Sequence, residues 1–147
     1  MRVLFVHQNF PAQFRSIAPR LAIDYGWTCN FATRNADIPA PCGVEKVLYR
    51  VRGGAHPVSH PCVRGFEQAA AHALGAYEAL KGRSDIRPDL VVAHSGFGSS
   101  LFLPYLYDAP VINFFEYFFR PVGQNFGYRP EVPITEATCC AGGRATR

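Results

Sequence analysis

Two histidines close two apolar runs: His7 follows Val3–Val6, and His94 follows Leu90–Ala93. Imidazole changes charge near neutral pH and can donate, accept or relay a proton. If the two runs are buried neighbouring strands, both rings converge on one cleft. A histidine at a strand end is otherwise an ordinary hydrogen-bonded structural residue, and either role fits the residue types. After His94 comes Ser95-Gly96-Phe97-Gly98-Ser99-Ser100. The backbone N–H groups of Gly96, Gly98 and Ser99 could hold an anion where this loop enters a helix, and the same residues equally make a tight turn with a serine cap. Glu116 sits inside the aromatic run Phe114–Phe119. Alternate rings of that run pack on a sheet, or some face a partner domain with Glu116 held in the cleft.

Several chemistries lack their residues. His7-Gln8-Asn9-Phe10 stands where a dinucleotide enzyme needs G-x-G-x-x-G, so the pyrophosphate cradle is missing. Ser95 has Ala93 and Phe97 where a nucleophile elbow needs glycines. His56 and His60 are four apart, but Pro57 and Pro61 oppose the helix that would align them, and no cysteine or carboxylate lies at zinc-ligand spacing. No metal is expected.

The elements that must position these residues follow from apolar patterning. Arg2–His7 has no alternation, which suits a parallel strand buried on both faces. Phe14, Ile17, Ala18, Leu21, Ala22 and Tyr25 recur at helical spacing, and Gly26 is a stop signal. Trp27–Thr33 and Val44–Val51 read as the second and third strands, and Gly53–Pro61 as a loop. Phe66, Ala69, Ala70, Ala73, Leu74, Tyr77 and Leu80 form an amphipathic helix, and His72 falls off that stripe and is expected in solvent. Leu90–Ala93 is a fourth strand, Ser99–Leu106 a short helix cut by Pro104, and Val111–Phe114 a fifth strand.

Alternating strands and helices predict an α/β fold: a Rossmann-like open parallel sheet with helices on both faces, in the order 3-2-1-4-5. Strands one and four then flank the point where the winding reverses, and ligands bind there beyond the carboxyl ends of the strands. The loops HQNFPAQ and HSGFGSS face each other at that point. From Ile134 the sequence loses periodicity, which divides the chain into a domain over 1–133 and an irregular or disordered tail over 134–147.

Composition agrees with one globular domain: 147 residues, 48% hydrophobic, 14% aromatic and 18% charged. The net charge of +4 comes from scattered arginines, so nucleic acid is not indicated, while an anionic small molecule or lipid surface is compatible. Cys29, Cys42, Cys62, Cys139 and Cys140 make no C-x-x-C pair, and the start lacks a signal-peptide pattern. A reducing, cytoplasmic setting is expected. No apolar run approaches the roughly 18 residues of a spanning helix, which leaves peripheral membrane contact open.

The segments MRVLFVHQNFPAQFRSIAPRLA, PDLVVAHSGFGSSLFL, INFFEYFF and GYRPEVP resemble the amino-terminal domain of bacterial family 4 glycosyltransferases, retaining enzymes of the two-domain GT-B type. The likeness runs to about Pro133. It implies an acceptor-binding half, with the nucleotide-sugar held mainly by a carboxyl-terminal half. His94 would lie at the sugar transfer point, there to hydrogen-bond the sugar or stabilise developing charge, and His7–Gln13 would lie beside the donor phosphates and the acceptor. The residues implied to bind substrate are His7, Gln8, Asn9, Gly96, Gly98, Ser99 and Glu116. The intact reaction is transfer of a hexose from a nucleotide-sugar to a hydroxyl acceptor, free or lipid-linked, with no cofactor. Arg129 departs from the pattern, where related sequences tend to have Asp. The chain lacks the donor half, so it is expected to be a fragment inactive alone, needing a missing or separate donor domain. The alternative is a non-catalytic module that binds a glycan, a lipid headgroup or a separately encoded partner domain.

Overall fold

The computed structural model describes residues 1–94 and 99–115, with only the backbone at 61 and 62. Five strands form one sheet: β1 (Arg2–Val6), β2 (Thr28–Thr33), β3 (Val44–Leu48), β4 (Leu90–His94) and β5 (Val111–Phe114). Their order is β3-β2-β1-β4-β5, and every described pairing is parallel. This is the α/β, Rossmann-like arrangement that the patterning predicts. Helices α1 (Ile17–Tyr25) and α2 (Pro61–Lys81) supply crossovers.

β1 is central, so both its faces are covered. Leu4 and Val6 join Ala32, Val47, Val91 and Ala93 beneath Ala76 and Leu80 of α2. Val3 and Phe5 point the other way and join Phe14, Cys29 and Phe31 against Ala18 of α1. The unbroken apolar run of β1 thus feeds two cores, one per face. Each large side chain removed from water contributes roughly 1.5–3 kcal/mol, and Phe5→Ala would cost about 3–5 kcal/mol. At the amino edge, Asp89 accepts from Arg2 N at 2.8 Å and from its guanidinium at 2.6 Å. The Arg2 bonds hold the Asp89 carboxyl down to about 2.

Element limits shift slightly from the sequence expectation. Ala12–Phe14 is a short 3-10 turn that buries Phe14 before α1 begins. β3 ends at Leu48, although Tyr49 N still donates to Thr33 O at 2.9 Å. β4 runs one residue further than expected, to His94, which pairs with Phe114 of β5. In place of a helix over Ser99–Leu106, the chain makes a 3-10 turn at Leu103–Tyr105.

The buried face of α2 needs correction. His72, expected in solvent, is 3% exposed, whereas Phe66 and Leu74 of the expected stripe are 68% and 47% exposed. Ala73 and Leu80 of the stripe are buried as expected, and Ala71, Gly75 and Ala76 face inward with them. These small residues let the helix approach the end of β3 so closely that a Cβ on Gly75 would collide with the Arg50 carbonyl oxygen. Large side chains cannot fit there and point outward. Among the described residues no helix is long and apolar enough to cross a membrane. The boundary at 133 and the tail over 134–147 lie outside the described residues.

Candidate functional site

His7 N donates to Ala32 O at 3.1 Å, which carries the β1–β2 ladder one step beyond the strand and fixes where the ring begins. The side chain is buried, and its Nδ1 lies 2.9 Å from Asn9 N and 3.0 Å from Asn9 O. One nitrogen cannot accept from the first and donate to the second at once, so the two contacts belong to alternate tautomers. Either tautomer ties the ring to the loop that follows. Thr33 Oγ1 donates to Gln8 O at 2.9 Å, which anchors that loop to the end of β2. Gln8 is half-buried and Asn9 exposed.

β4 delivers the second imidazole. His94 is buried, with its ring centroid 5.0 Å from that of His7 and 5.6 Å from that of Phe114. β1 and β4 are adjacent at the reversal of winding, so the structure brings together the two histidines that close the apolar runs. Ser99 is fully buried, and its Oγ has no hydrogen-bond partner among the described residues. Ser100 Oγ donates to Asn113 Oδ1 at 2.7 Å and fastens the start of this segment to β5. Asn113 is a contributor that the residue types alone did not single out. A polar residue inside INFF was the available signal. Gly96, Gly98 and Glu116 lie outside the described residues.

The site is a cluster of polar residues at the carboxyl edge of a parallel sheet, which is where such folds bind ligands. A hollow of about 460 Å³ bordered by Arg83, Ile86, Tyr107 and Asp108 opens elsewhere, beside the segments that enter β4 and β5. It is away from both imidazoles and offers them nothing. Among the described residues no three of His, Cys, Asp or Glu gather as a metal-ligand set.

Over residues 25–143 the sequence matches the glycosyl transferase family 4 group. The chain belongs to this family. General glycosyl transfer is the chemistry associated with such a domain. The match takes in β2 to β5, and with them His94, Ser99 and Glu116, and begins beyond the loop that holds His7, Gln8 and Asn9. In this family 4 domain, that loop is tied to the matched part by the bond from Thr33 to Gln8 and by the contact of His7 with His94. No curated protein matches the chain.

Proposed function

We propose that this chain is the acceptor-binding half of a retaining glycosyltransferase of GT-B type that moves a hexose from a nucleotide-sugar to a hydroxyl acceptor. The observation that carries the reading is the meeting of His7 and His94 at the reversal point of a family 4 sheet. A second Rossmann-like half, in the same polypeptide or a separate one, supplies most of the donor site, and no resident metal or cofactor takes part.

In this reading the acceptor is carbohydrate or lipid-linked and settles over the loop His7–Gln13. His94 hydrogen-bonds the transferring sugar and stabilises charge that develops as the leaving phosphate departs. Burial strengthens such a bond because water does not compete for it. Retention places leaving phosphate and attacking hydroxyl on one face of the sugar, so the protein's chief contribution is to hold both in register. Gly96, Gly98, Ser99 and Glu116 bind substrate in the same reading. A cytoplasmic setting, with peripheral contact to a membrane when the acceptor is lipid-linked, accords with this chemistry.

The test is transfer of labelled hexose by the chain paired with a family 4 carboxyl-terminal half. His94→Ala should lower kcat/KM by about 100-fold. Transfer at the wild-type rate in that variant would remove His94 from the reaction.

A further inference from the structure

β2 and β3 end beside one another. Thr33 pairs with Leu48, and the bond from Tyr49 N to Thr33 O extends that register one step, which sets Arg34 beside Tyr49 and next to Arg50. Arg52 follows two residues later. Among the described residues the guanidinium groups of Arg34, Arg50 and Arg52 make no ion pair or hydrogen bond. Arg2, Arg20 and Arg83 have carboxylate partners, and Arg64 and Arg87 cap backbone carbonyls. Arg15, in the turn before α1, also has no side-chain partner among the described residues, but Arg34, Arg50 and Arg52 gather at one place in the fold.

That place is concave. Arg50 and Arg52 border a hollow of about 540 Å³, closed on its other side by Ala71, Gly75 and Glu78 of α2. Small-ligand sites occupy roughly 300–1,000 Å³. Arg34 stands at the same end, and its charge adds to burial in lowering the His72 pKa. Two guanidinium groups in the hollow, with Arg34 at the neighbouring strand end, against the single carboxylate of Glu78 leave the place positive. Guanidinium presents a planar fork of donors that matches phosphate oxygens two at a time.

We propose that Arg34, Arg50 and Arg52 form an oxyanion site that grips a phosphate group of the acceptor, an inference that rests on the acceptor-binding reading above. The cluster shares the carboxyl edge of the sheet with His94. At about 4.8 Å per strand, the end of β2 lies roughly 10 Å from the end of β4, and the end of β3 roughly 14 Å. An acceptor whose phosphate sits on the arginines can therefore present a hydroxyl near the imidazoles. The phosphate can belong to a soluble sugar phosphate or to a lipid headgroup.

Titration calorimetry on the intact chain with inorganic phosphate and with a hexose phosphate tests the site, alongside co-sedimentation with equimolar phosphatidylglycerol and phosphatidylcholine vesicles. The expected result is binding that R50Q/R52Q weakens about tenfold or more and R34Q weakens less, while R87Q, which removes a charge at the opposite edge, leaves it unchanged. Vesicle binding alone, with the same variant dependence, assigns the phosphate to a lipid. Absence of binding to all probes, or equal weakening by R87Q, overturns the proposal. Phosphate binding by a chain that transfers no sugar even when paired with a family 4 carboxyl-terminal half overturns the transfer reading and leaves this site standing. Wild-type transfer in R50Q/R52Q does the reverse.

Discussion

The ring of His7 stands edge-on to the ring of His94, with planes at 82°. The two residues share a contact but have different duties. His7 also holds Asn9 through Nδ1 and is 2% exposed, so it positions the loop that His94 faces. His7→Ala leaves a cavity and releases the Asn9 backbone. It should destabilise the chain by about 2–4 kcal/mol, measured by urea unfolding. A loss below about 1 kcal/mol would show that the loop does not depend on the ring.

Acid should loosen the chain through His72. Burial, with the charge of Arg34 added, lowers its pKa from 6.5. The Tyr49 hydroxyl, pushed up to about 12 by burial, keeps its proton and lies in hydrogen-bond contact with His72 Nδ1 at 3.3 Å. As pH falls below about 6.5 the unfolded chain takes up a proton that the folded chain refuses. Stability is therefore fully present above that pH and declines from there down to the lowered folded-state pKa. The urea midpoint should fall between pH 7.5 and 5, and His72→Leu should flatten that slope. An unchanged slope in the variant would assign the acid sensitivity elsewhere.

Alanine normally favours a helix interior over glycine by about 1 kcal/mol. Gly75→Ala should do the opposite, because the added Cβ meets the Arg50 carbonyl oxygen. The expected change is a loss of about 1–3 kcal/mol, read as a lower thermal midpoint. A gain in stability would mean that α2 lies further from β3 than the structure has it.

The same close approach explains which parts of the fold were legible in the sequence. β1 and β4 are continuous apolar runs, which only a two-sided parallel interior requires, so the strand order and the meeting of His7 with His94 followed. The face of α2 followed only in part: Ala73 and Leu80 are buried, but large residues such as Phe66 and Leu74 also drew the stripe and lie exposed. Packing against β3 instead selected the smallest side chains, and the run Ala69-Ala70-Ala71 with Gly75 was the signal. The placing of Arg34 beside Tyr49 and next to Arg50 depends on register across two strands and a long connection, which no local pattern encodes.

Lys46 fastens the connection between β2 and β3. Its Nζ donates to Asn35 O at 3.2 Å, Ala36 O at 3.1 Å and Ile38 O at 2.7 Å, and lies 5.2 Å from the centre of the Phe10 ring. Lys46→Met keeps the apolar stem and removes the charge. It should cost about 1–2 kcal/mol and speed amide exchange over residues 35–38. Exchange that stays as slow as in the wild type would show that the backbone of this connection holds itself.

From Arg2 at one edge of the sheet to His7, just past the end of β1 at the other, the chain spans about 17 Å at the usual rise per residue. Met1, 53% exposed, is at the far edge from the imidazoles, and its carbonyl is tied to Thr28 N at 3.0 Å. A tether attached there leads away from the imidazoles. Surface immobilisation through the amino terminus therefore leaves the carboxyl edge open to ligands.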